Sequence, residues 1–133
     1  MDSNNGCYTG SIVFRSTEAY LNYIEACYEK NGSLDNAAEI YWQKIRSRAK
    51  VNTDFNLSIS LTNMNEEAKN DRGAYATGKL IDPFLYNIRR EKRCELMAEG
   101  LRLADLKRWR AMNQLIKEPY HLEGFKLWGP IKN

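Results

Sequence analysis

Three glutamates recur at every fourth position, at Glu91, Glu95 and Glu99, so a helix would carry them in one stripe. A stripe of carboxylates could carry out acid–base chemistry or bind a metal ion. The surrounding stretch, residues 89–110, holds eight basic and four acidic residues. Opposite charges lie three residues apart, where neighbours on a helix pair, at Lys92–Glu95, Glu99–Arg102 and Asp105–Arg108. We therefore expect the glutamates to form ion pairs rather than to act in catalysis.

Other residue types that carry out catalysis are scarce. The chain has one histidine, His121, and three cysteines, Cys7, Cys27 and Cys94, which are far apart in the sequence. This composition excludes a multi-histidine metal site and a Cys-x-x-Cys pair, and it leaves no credible Ser–His–Asp or Cys–His pair. The sequence therefore predicts that the protein is not an enzyme and has no catalytic residues, no metal site and no cofactor.

Two binding chemistries remain to be weighed, and the sequence disfavours both. Gly73, Gly78 and Lys79 have the spacing of a phosphate-binding P-loop, but Leu80 stands where a Ser or Thr should bind Mg²⁺, and no buried strand precedes the loop. The basic residues over 89–110 could contact nucleic-acid phosphates. Because acidic residues are interleaved with them, we expect no nucleic-acid partner.

Aromatic side chains could stack on a sugar or a base. For Trp42 and Trp109 a place in the core is the simpler interpretation, since Trp109 falls in an apolar helical stripe. Trp128 lies in a Gly- and Pro-containing tail. Tyr75 lies in a polar, Gly-containing stretch, where an aromatic side chain has less reason to be buried.

The elements that must position these residues begin with a helical hairpin over residues 12–50. Apolar residues recur with helical spacing over 17–30, with Ser16 as the expected N-cap and Gly32 as the expected left-handed C-terminal cap. A second helix is predicted over 34–50, capped by Ser33. A connection this short joins neighbouring antiparallel helices.

The pattern dissolves over residues 51–81, which are rich in Asn and Gly. Residues 57–61 alternate as a strand would, but without a visible partner they are predicted to be extended loop. Residues 63–70 are predicted to hold a short helix. A long irregular excursion between helices is where binding specificity usually lies.

A second hairpin is predicted over residues 82–118. Asp82 followed by Pro83 is a strong helix start, and helices are expected over 83–99 and 101–116, separated at Gly100. Residues 119–133 are predicted to form an irregular tail that docks through Leu127 and Trp128. The sequence thus predicts one all-α domain over 1–133, with two helical hairpins separated by the excursion.

Two blocks carry a family resemblance. Residues 26–41, with small residues flanking Gly32, resemble the turn of a tetratricopeptide repeat. Residues 88–109 resemble the signature of the SusD/RagB family, and residues 14–26 and 45–49 resemble its upstream block in the expected order and spacing. The signature positions matched are Glu91, Arg93, Glu95, Glu99, Gly100, Arg102, Asp105, Arg108 and Trp109.

The resemblance implies a lipid-anchored, surface-exposed outer-membrane protein of the Bacteroidetes that is not an enzyme. It implies binding of glycans or other nutrients, in partnership with a SusC-like TonB-dependent transporter. In that family the helical repeats form a scaffold that faces the transporter, loops carry the ligand site, and the signature positions mainly hold helices together. We therefore expect the signature residues to be structural.

Family members are several times longer than this chain, so the resemblance predicts a C-terminal fragment that mainly supplies helical scaffold. The lipid anchor is expected outside the chain, since no apolar region precedes Cys7. If ligand contact lies within the chain, the expected glycan-binding residues are Asn70, Arg72, Tyr75 and Trp128. The alternative function is a generic tetratricopeptide-like module that binds another protein.

Overall fold

The first element is an antiparallel pair of helices in a computed structural model that describes residues 14–112. Helix α1 spans Ser16–Asn31 and helix α2 spans Asn36–Arg48. Gly32 ends α1 with a φ of +70°, and its amide bonds the Tyr28 carbonyl at 2.8 Å. A left-handed residue at this position is inexpensive only for glycine. The predicted turn between the helices is confirmed.

The N-caps of both helices differ from the prediction. Ser16 is the first helical residue of α1, and Arg15 occupies the cap position without a side-chain hydrogen bond. Asp35, not Ser33, caps α2, and its Oδ1 accepts from the Ala38 amide at 2.8 Å. The chain needs four residues to turn back on itself, so the helix starts later. A carboxylate at that point also interacts favourably with the helix dipole.

The excursion between the hairpins is built from short elements rather than irregular loop. Helix α3 spans Phe55–Ser60 and helix α4 spans Met64–Asn70. A 3₁₀ turn over Arg72–Ala74 leads into a small antiparallel hairpin of β1, Tyr75–Ala76, and β2, Lys79–Leu80. The prediction of a short helix over 63–70 is confirmed.

The prediction of an extended segment over 57–61 is wrong. Asp54 accepts from the amides of Asn56 and Leu57 and starts a helix there. Phe55 is buried and stacks on Trp42 of α2, with ring centroids 4.4 Å apart. Burial of this single aromatic ring and the Asp54 cap together outweigh the strand-like alternation, since within residues 14–112 the two strands pair with each other and not with this segment.

The second pair of helices is shorter than predicted. Helix α5 spans Pro83–Glu95, and the predicted start is confirmed because Asp82 accepts from the amides of Phe84 and Leu85. Helix α6 spans only Arg102–Arg108. Between them, Ala98 and Gly100 have φ values of +66° and +78°, which helical residues cannot adopt.

This tight connection folds Leu96 and Leu101 against the main core, which explains why α5 stops at Glu95 instead of continuing to residue 99. The predicted tail over 119–133, with His121, Leu127 and Trp128, lies outside the described residues. Cys7 lies outside them as well.

The main core lies where α1 packs against both α2 and α5. Its members are apolar side chains of the three helices together with Phe55 and Leu96. A smaller cluster beneath the excursion joins Ala68, Ala74 and Tyr86. The protein is thus all-α with tetratricopeptide-like helical packing, as predicted, apart from the two-stranded hairpin in its described part. Over residues 14–112, no helix has the length and apolar character needed to cross a bilayer.

Replacing Tyr86 by phenylalanine should lower the free energy of unfolding by about 1 kcal/mol at neutral pH. Tyr86 is fully buried, and its hydroxyl donates to Glu67 Oε2 on α4 at 2.8 Å. Burial, followed by this hydrogen bond to Glu67, raises the pKa of Tyr86 well above its ordinary value.

Since the folded pKa exceeds the unfolded one, this stabilisation is complete below about pH 10 and is lost as the pH rises toward the folded pKa. Urea unfolding at about pH 8 and about pH 11 should therefore show a smaller alkaline loss in Tyr86→Phe than in the wild type. Equal losses in both proteins would contradict the expectation.

Candidate functional site

A buried carboxylate, Glu25 of α1, organises the charged residues of the second hairpin. Glu25 is 2% exposed. Its Oε1 accepts from Trp109 Nε1 at 2.5 Å, and its Oε2 accepts from Arg108 Nη2 at 2.6 Å. Arg89 Nε and Lys92 Nζ lie 3.7 Å and 3.9 Å from its oxygens. A single α1 side chain thus interacts with residues of α5 and with residues at the end of α6, and holds both against α1.

The Trp109 ring lies among three guanidinium groups. The distances from its centroid to the Cζ atoms of Arg89, Arg102 and Arg108 are 4.3 Å, 5.2 Å and 5.4 Å. Cations over an indole face are attracted by its quadrupole, more strongly where water is excluded. Burial lowers the pKa of Arg89 despite the nearby Glu25 carboxylate. Trp109 and Arg89 are buried, whereas Arg102 and Arg108 are partly exposed, so the indole ring serves as core rather than as a ligand platform.

A second buried carboxylate, Asp71, holds the excursion against the second hairpin. Asp71 is 4% exposed, and its Oδ2 pairs with Arg93 Nη1 at 2.9 Å while its Oδ1 pairs with Arg102. The same Oδ1 accepts from the Gly73 amide at 2.8 Å and caps the 3₁₀ turn. A Cβ at Gly73 would lie 2.6 Å from Arg102 Nη2, so a larger residue there would displace the Arg102 guanidinium that pairs with Asp71.

Each glutamate of the stripe has a basic partner. Glu91 Oε2 accepts from Arg46 Nη1 at 2.8 Å and from Trp42 Nε1 at 3.0 Å. Glu95 pairs with Arg48 and with Arg15, and Glu99 also pairs with Arg15. The carboxylates therefore form ion pairs that join α5 to α2 and to the start of α1. Their geometry provides no acid–base pair for catalysis.

The predicted pairs between helix neighbours form in only one of the three cases. Asp105 and Arg108 lie 3.3 Å apart. Lys92 instead pairs with Asp105 at 2.8 Å, and Arg102 pairs with Asp71. Lys92 and Glu95 both lie in α5, but Lys92 pairs with the buried Asp105 and Glu95 pairs with Arg15 and Arg48. Because α5 ends at Glu95, Glu99 and Arg102 do not share a continuous helical face.

Three of the predicted glycan-binding residues fall in one short segment of the excursion. Asn70 is exposed at the end of α4, Arg72 is half-buried in the 3₁₀ turn, and Tyr75 is half-buried on β1. The Tyr75 carbonyl accepts from Arg89 Nη1 at 3.1 Å, which fixes the strand to the core. The fourth, Trp128, lies outside the described residues.

The P-loop spacing over residues 73–79 has no P-loop structure. Gly73 belongs to the 3₁₀ turn, and Tyr75 pairs with Leu80 in a β-hairpin whose second strand carries the exposed Lys79. A P-loop requires a strand before the loop and a helix directly after it. Among residues 14–112, no group of three His, Cys, Asp or Glu side chains could hold a metal ion.

The sequence interpretation missed Glu25 and Asp71, the two buried carboxylates that pair with basic residues of the second hairpin. Glu25 lies beside Ile24 on the apolar stripe of α1, so an acidic residue at the edge of a buried face was the available signal. Asp71 carried no signal beyond turn chemistry, because its partners are more than twenty residues away.

Replacing Asp71 by alanine should lower the free energy of unfolding by about 2–3 kcal/mol, because two arginines lose their partner and the 3₁₀ turn loses its cap. Asp71→Asn can retain the cap and should cost less. Hydrogen exchange should report selective loss of protection over residues 72–81, with the α1–α2 hairpin unchanged. Uniform loss of protection across the chain would contradict this local role.

The chain matches the SusD family over residues 2–126. Neither the curated proteins nor the solved structures provide a match to it. At the level of the family, SusD proteins are nutrient- and glycan-binding components associated with the outer membrane, and they are not a family of enzymes. The match covers most of the chain, including both charged networks, and the chain therefore belongs to the SusD family.

Proposed function

We propose that this chain is part of a glycan- or nutrient-binding component of an outer-membrane uptake system, and that within it the chain mainly supplies helical scaffold. The family match over residues 2–126 is the observation that carries the proposal. In the proposal the protein is lipid-anchored and surface-exposed on a member of the Bacteroidetes, and it works with a SusC-like TonB-dependent transporter.

The scaffold role is supported by the ion pairs of the buried carboxylates, which join one helix or segment to another. Glu25 joins α1 to the second hairpin, and Asp71 joins the excursion to it. Glu91 and Glu95 join α5 to α2. Buried, paired charges such as these fix one arrangement of the helices, and they leave little free charge for binding a ligand.

The same pairing argues against a nucleic-acid interface. Six of the eight basic residues over 89–110 form ion pairs within the described part of the chain; they are Arg89, Arg90, Lys92, Arg93, Arg102 and Arg108. Phosphate contacts need cations that can exchange counterions for the nucleic-acid backbone. Ligand contact in the excursion is proposed for Asn70, Arg72 and Tyr75, together with Trp128.

Co-isolation from the native membrane tests the proposal. The protein that contains this chain would be tagged in its source cells, and outer membranes would be solubilised in mild detergent. We expect a TonB-dependent transporter to co-purify. Tyr75→Ala should retain the transporter, because it alters only the proposed ligand segment, whereas Trp42→Ala should lose it with the scaffold. Recovery of another protein partner without any transporter would favour the generic interaction module instead.

A further inference from the structure

A cluster of three tyrosines lies on the α1–α2 hairpin, away from the excursion. Tyr20 and Tyr41 are stacked, with ring centroids 4.5 Å apart and an interplanar angle of 12°. Tyr23 meets Tyr41 edge-on at 5.7 Å and 76°. Tyr20 and Tyr41 pack partly against the core, but Tyr23 is 43% exposed. The cluster therefore holds one exposed aromatic ring in a fixed position.

An open depression of about 280 Å³ lies beside this ring, between the end of α1 and the start of α2. Ala26 and Cys27 lie on α1 within it, and Tyr23 forms one side. Its polar lining consists of Lys30, Asn31 and Asp35. A shallow site with one aromatic ring and a few directed polar groups has the size for a single small ligand.

The polar groups of the depression retain unused hydrogen-bonding capacity. Asp35 accepts from the Tyr23 hydroxyl at 2.6 Å and from the Ala38 amide at 2.8 Å, while a carboxylate has about four acceptor positions. Asn31 Nδ2 donates to Cys27 Sγ at 3.7 Å, which turns its amide toward the depression. Lys30 is exposed, and over residues 14–112 no carboxylate lies within ion-pairing distance of its ammonium group.

These groups keep their roles across the neutral pH range. The hydrogen bond from Tyr23, followed by that from the Ala38 amide, lowers the pKa of Asp35, which is therefore a carboxylate. The hydrogen bond to Asp35 raises the pKa of Tyr23 to about 12, so its hydroxyl stays protonated. The single cation, Lys30, and the single anion, Asp35, give the lining no net charge.

We propose that this depression binds one uncharged pyranose unit. A pyranose has an apolar C–H face that fits against the Tyr23 ring, and hydroxyls that both donate and accept. Asp35 accepts from ligand hydroxyls, Lys30 donates to them, and Asn31 can do either. Because the lining has no net charge, it disfavours an anionic ligand.

This site lies on the scaffold hairpin and is distinct from the proposed ligand segment over residues 70–75. It extends the proposed function, on which the choice of a sugar as ligand rests, because it gives the chain a sugar contact of its own. A single ring and an open site predict weak binding, in the millimolar range, so the contact would act by holding a long glycan at several points.

Residue-resolved NMR titration of the chain with the methyl glycosides of glucose, galactose, mannose and xylose tests the site. At least one glycoside should give saturable shifts centred on Tyr23, Lys30, Asn31 and Asp35. Tyr23→Ala should raise the Kd about fivefold or more, as expected for loss of a ring contact. Asp35→Asn keeps an effective helix cap and should also weaken binding. Phe14→Ala is the matched control, because it removes an exposed aromatic ring that precedes the first turn of α1, far from the depression, and it should leave the Kd unchanged.

Two results would overturn the site. One is shifts centred on residues 70–75 that Tyr75→Ala abolishes and Tyr23→Ala does not, which would leave the proposed function intact. The other is the absence of saturable shifts with all four glycosides. Co-isolation of the transporter does not depend on either result, so failure of this site and failure of the proposed function can be told apart. Circular dichroism would establish that each variant is folded.

Discussion

Replacing Glu25 by alanine is expected to lower the free energy of unfolding by about 3–5 kcal/mol, the usual cost of breaking a buried charge pair. The carboxylate is 2% exposed, and its removal leaves Arg89 and Lys92, which are 3% and 5% exposed, without their shared counter-ion. Trp109 Nε1 also loses its acceptor inside the core. A loss of this size is a large fraction of the stability of an ordinary domain.

Urea denaturation followed by circular dichroism would measure the effect, and two variants bracket it. Glu25→Gln keeps the volume and an acceptor for Trp109 but removes the charge, so its loss should be intermediate. Glu66→Ala is the matched control, because Glu66 is an exposed glutamate whose partner within residues 14–112 is the exposed Lys69. Its effect should stay within about 0.5 kcal/mol. Similar effects for Glu25→Ala and Glu66→Ala would mean that the buried network contributes little.

A double-mutant cycle would separate the parts of the network. Trp109→Phe retains an aromatic ring among the three guanidinium groups but removes the indole N–H that Glu25 accepts. If the hydrogen bond is a substantial part of the coupling, the losses from Glu25→Ala, which removes the acceptor, and Trp109→Phe should not add. Simple additivity would assign the stabilisation to the charges alone.

The elements that could be predicted from the sequence are those specified by local signals. Gly32 ends α1 because a left-handed residue is needed there, and the Asp82–Pro83 pair starts α5 because it supplies both a cap and a fixed φ. The signature residues near α5 and α6 were recognisable by their resemblance to the family motif. Each of these signals acts within a few residues, so tertiary packing did not alter it.

The features that could not be predicted depend on distant partners. Lys92 and Arg102 had plausible partners three residues away, yet they pair with Asp105 and Asp71 once the chain folds. The segment after Phe55 is helical despite its strand-like pattern, because Phe55 packs on the buried ring of Trp42. A sequence pattern suggests ion pairs between residues that are close in the sequence. In the folded protein, a buried charge instead pairs with whichever opposite charge is buried beside it, because a buried group left unpaired is costly.

The depression beside Tyr23 was invisible for a related reason. The sequence interpretation treated residues 17–30 as an apolar helical stripe and looked for binding residues in the excursion. Tyr23 and Asp35 lie on two helices and meet only after the turn at Gly32 brings those helices side by side. Recognising Asp35 as the N-cap of α2 would have revealed the site, because Asp35 both caps that helix and accepts a hydrogen bond from Tyr23.

Replacing Trp42 by alanine should also cost about 3–5 kcal/mol, for reasons of packing rather than charge. Trp42 is 1% exposed, stacks on Phe55 at 4.4 Å, and meets Phe84 edge-on at 5.9 Å. Its indole N–H donates to Glu91, which retains Arg46 as a partner when the indole is lost. The main loss is therefore a cavity where α2, α3 and α5 meet.

Three measurements would identify packing as the cause. Trp42→Phe keeps much of the ring contact and should cost only about 1–2 kcal/mol in urea denaturation. Ile40→Ala, a partly exposed apolar position on the same helix, should cost less than about 1 kcal/mol. Hydrogen exchange in Trp42→Ala should increase first in α3, because Phe55 anchors that helix mainly through this ring. Retained protection in α3 would mean that the Asp54 cap and Phe84 hold it without Trp42.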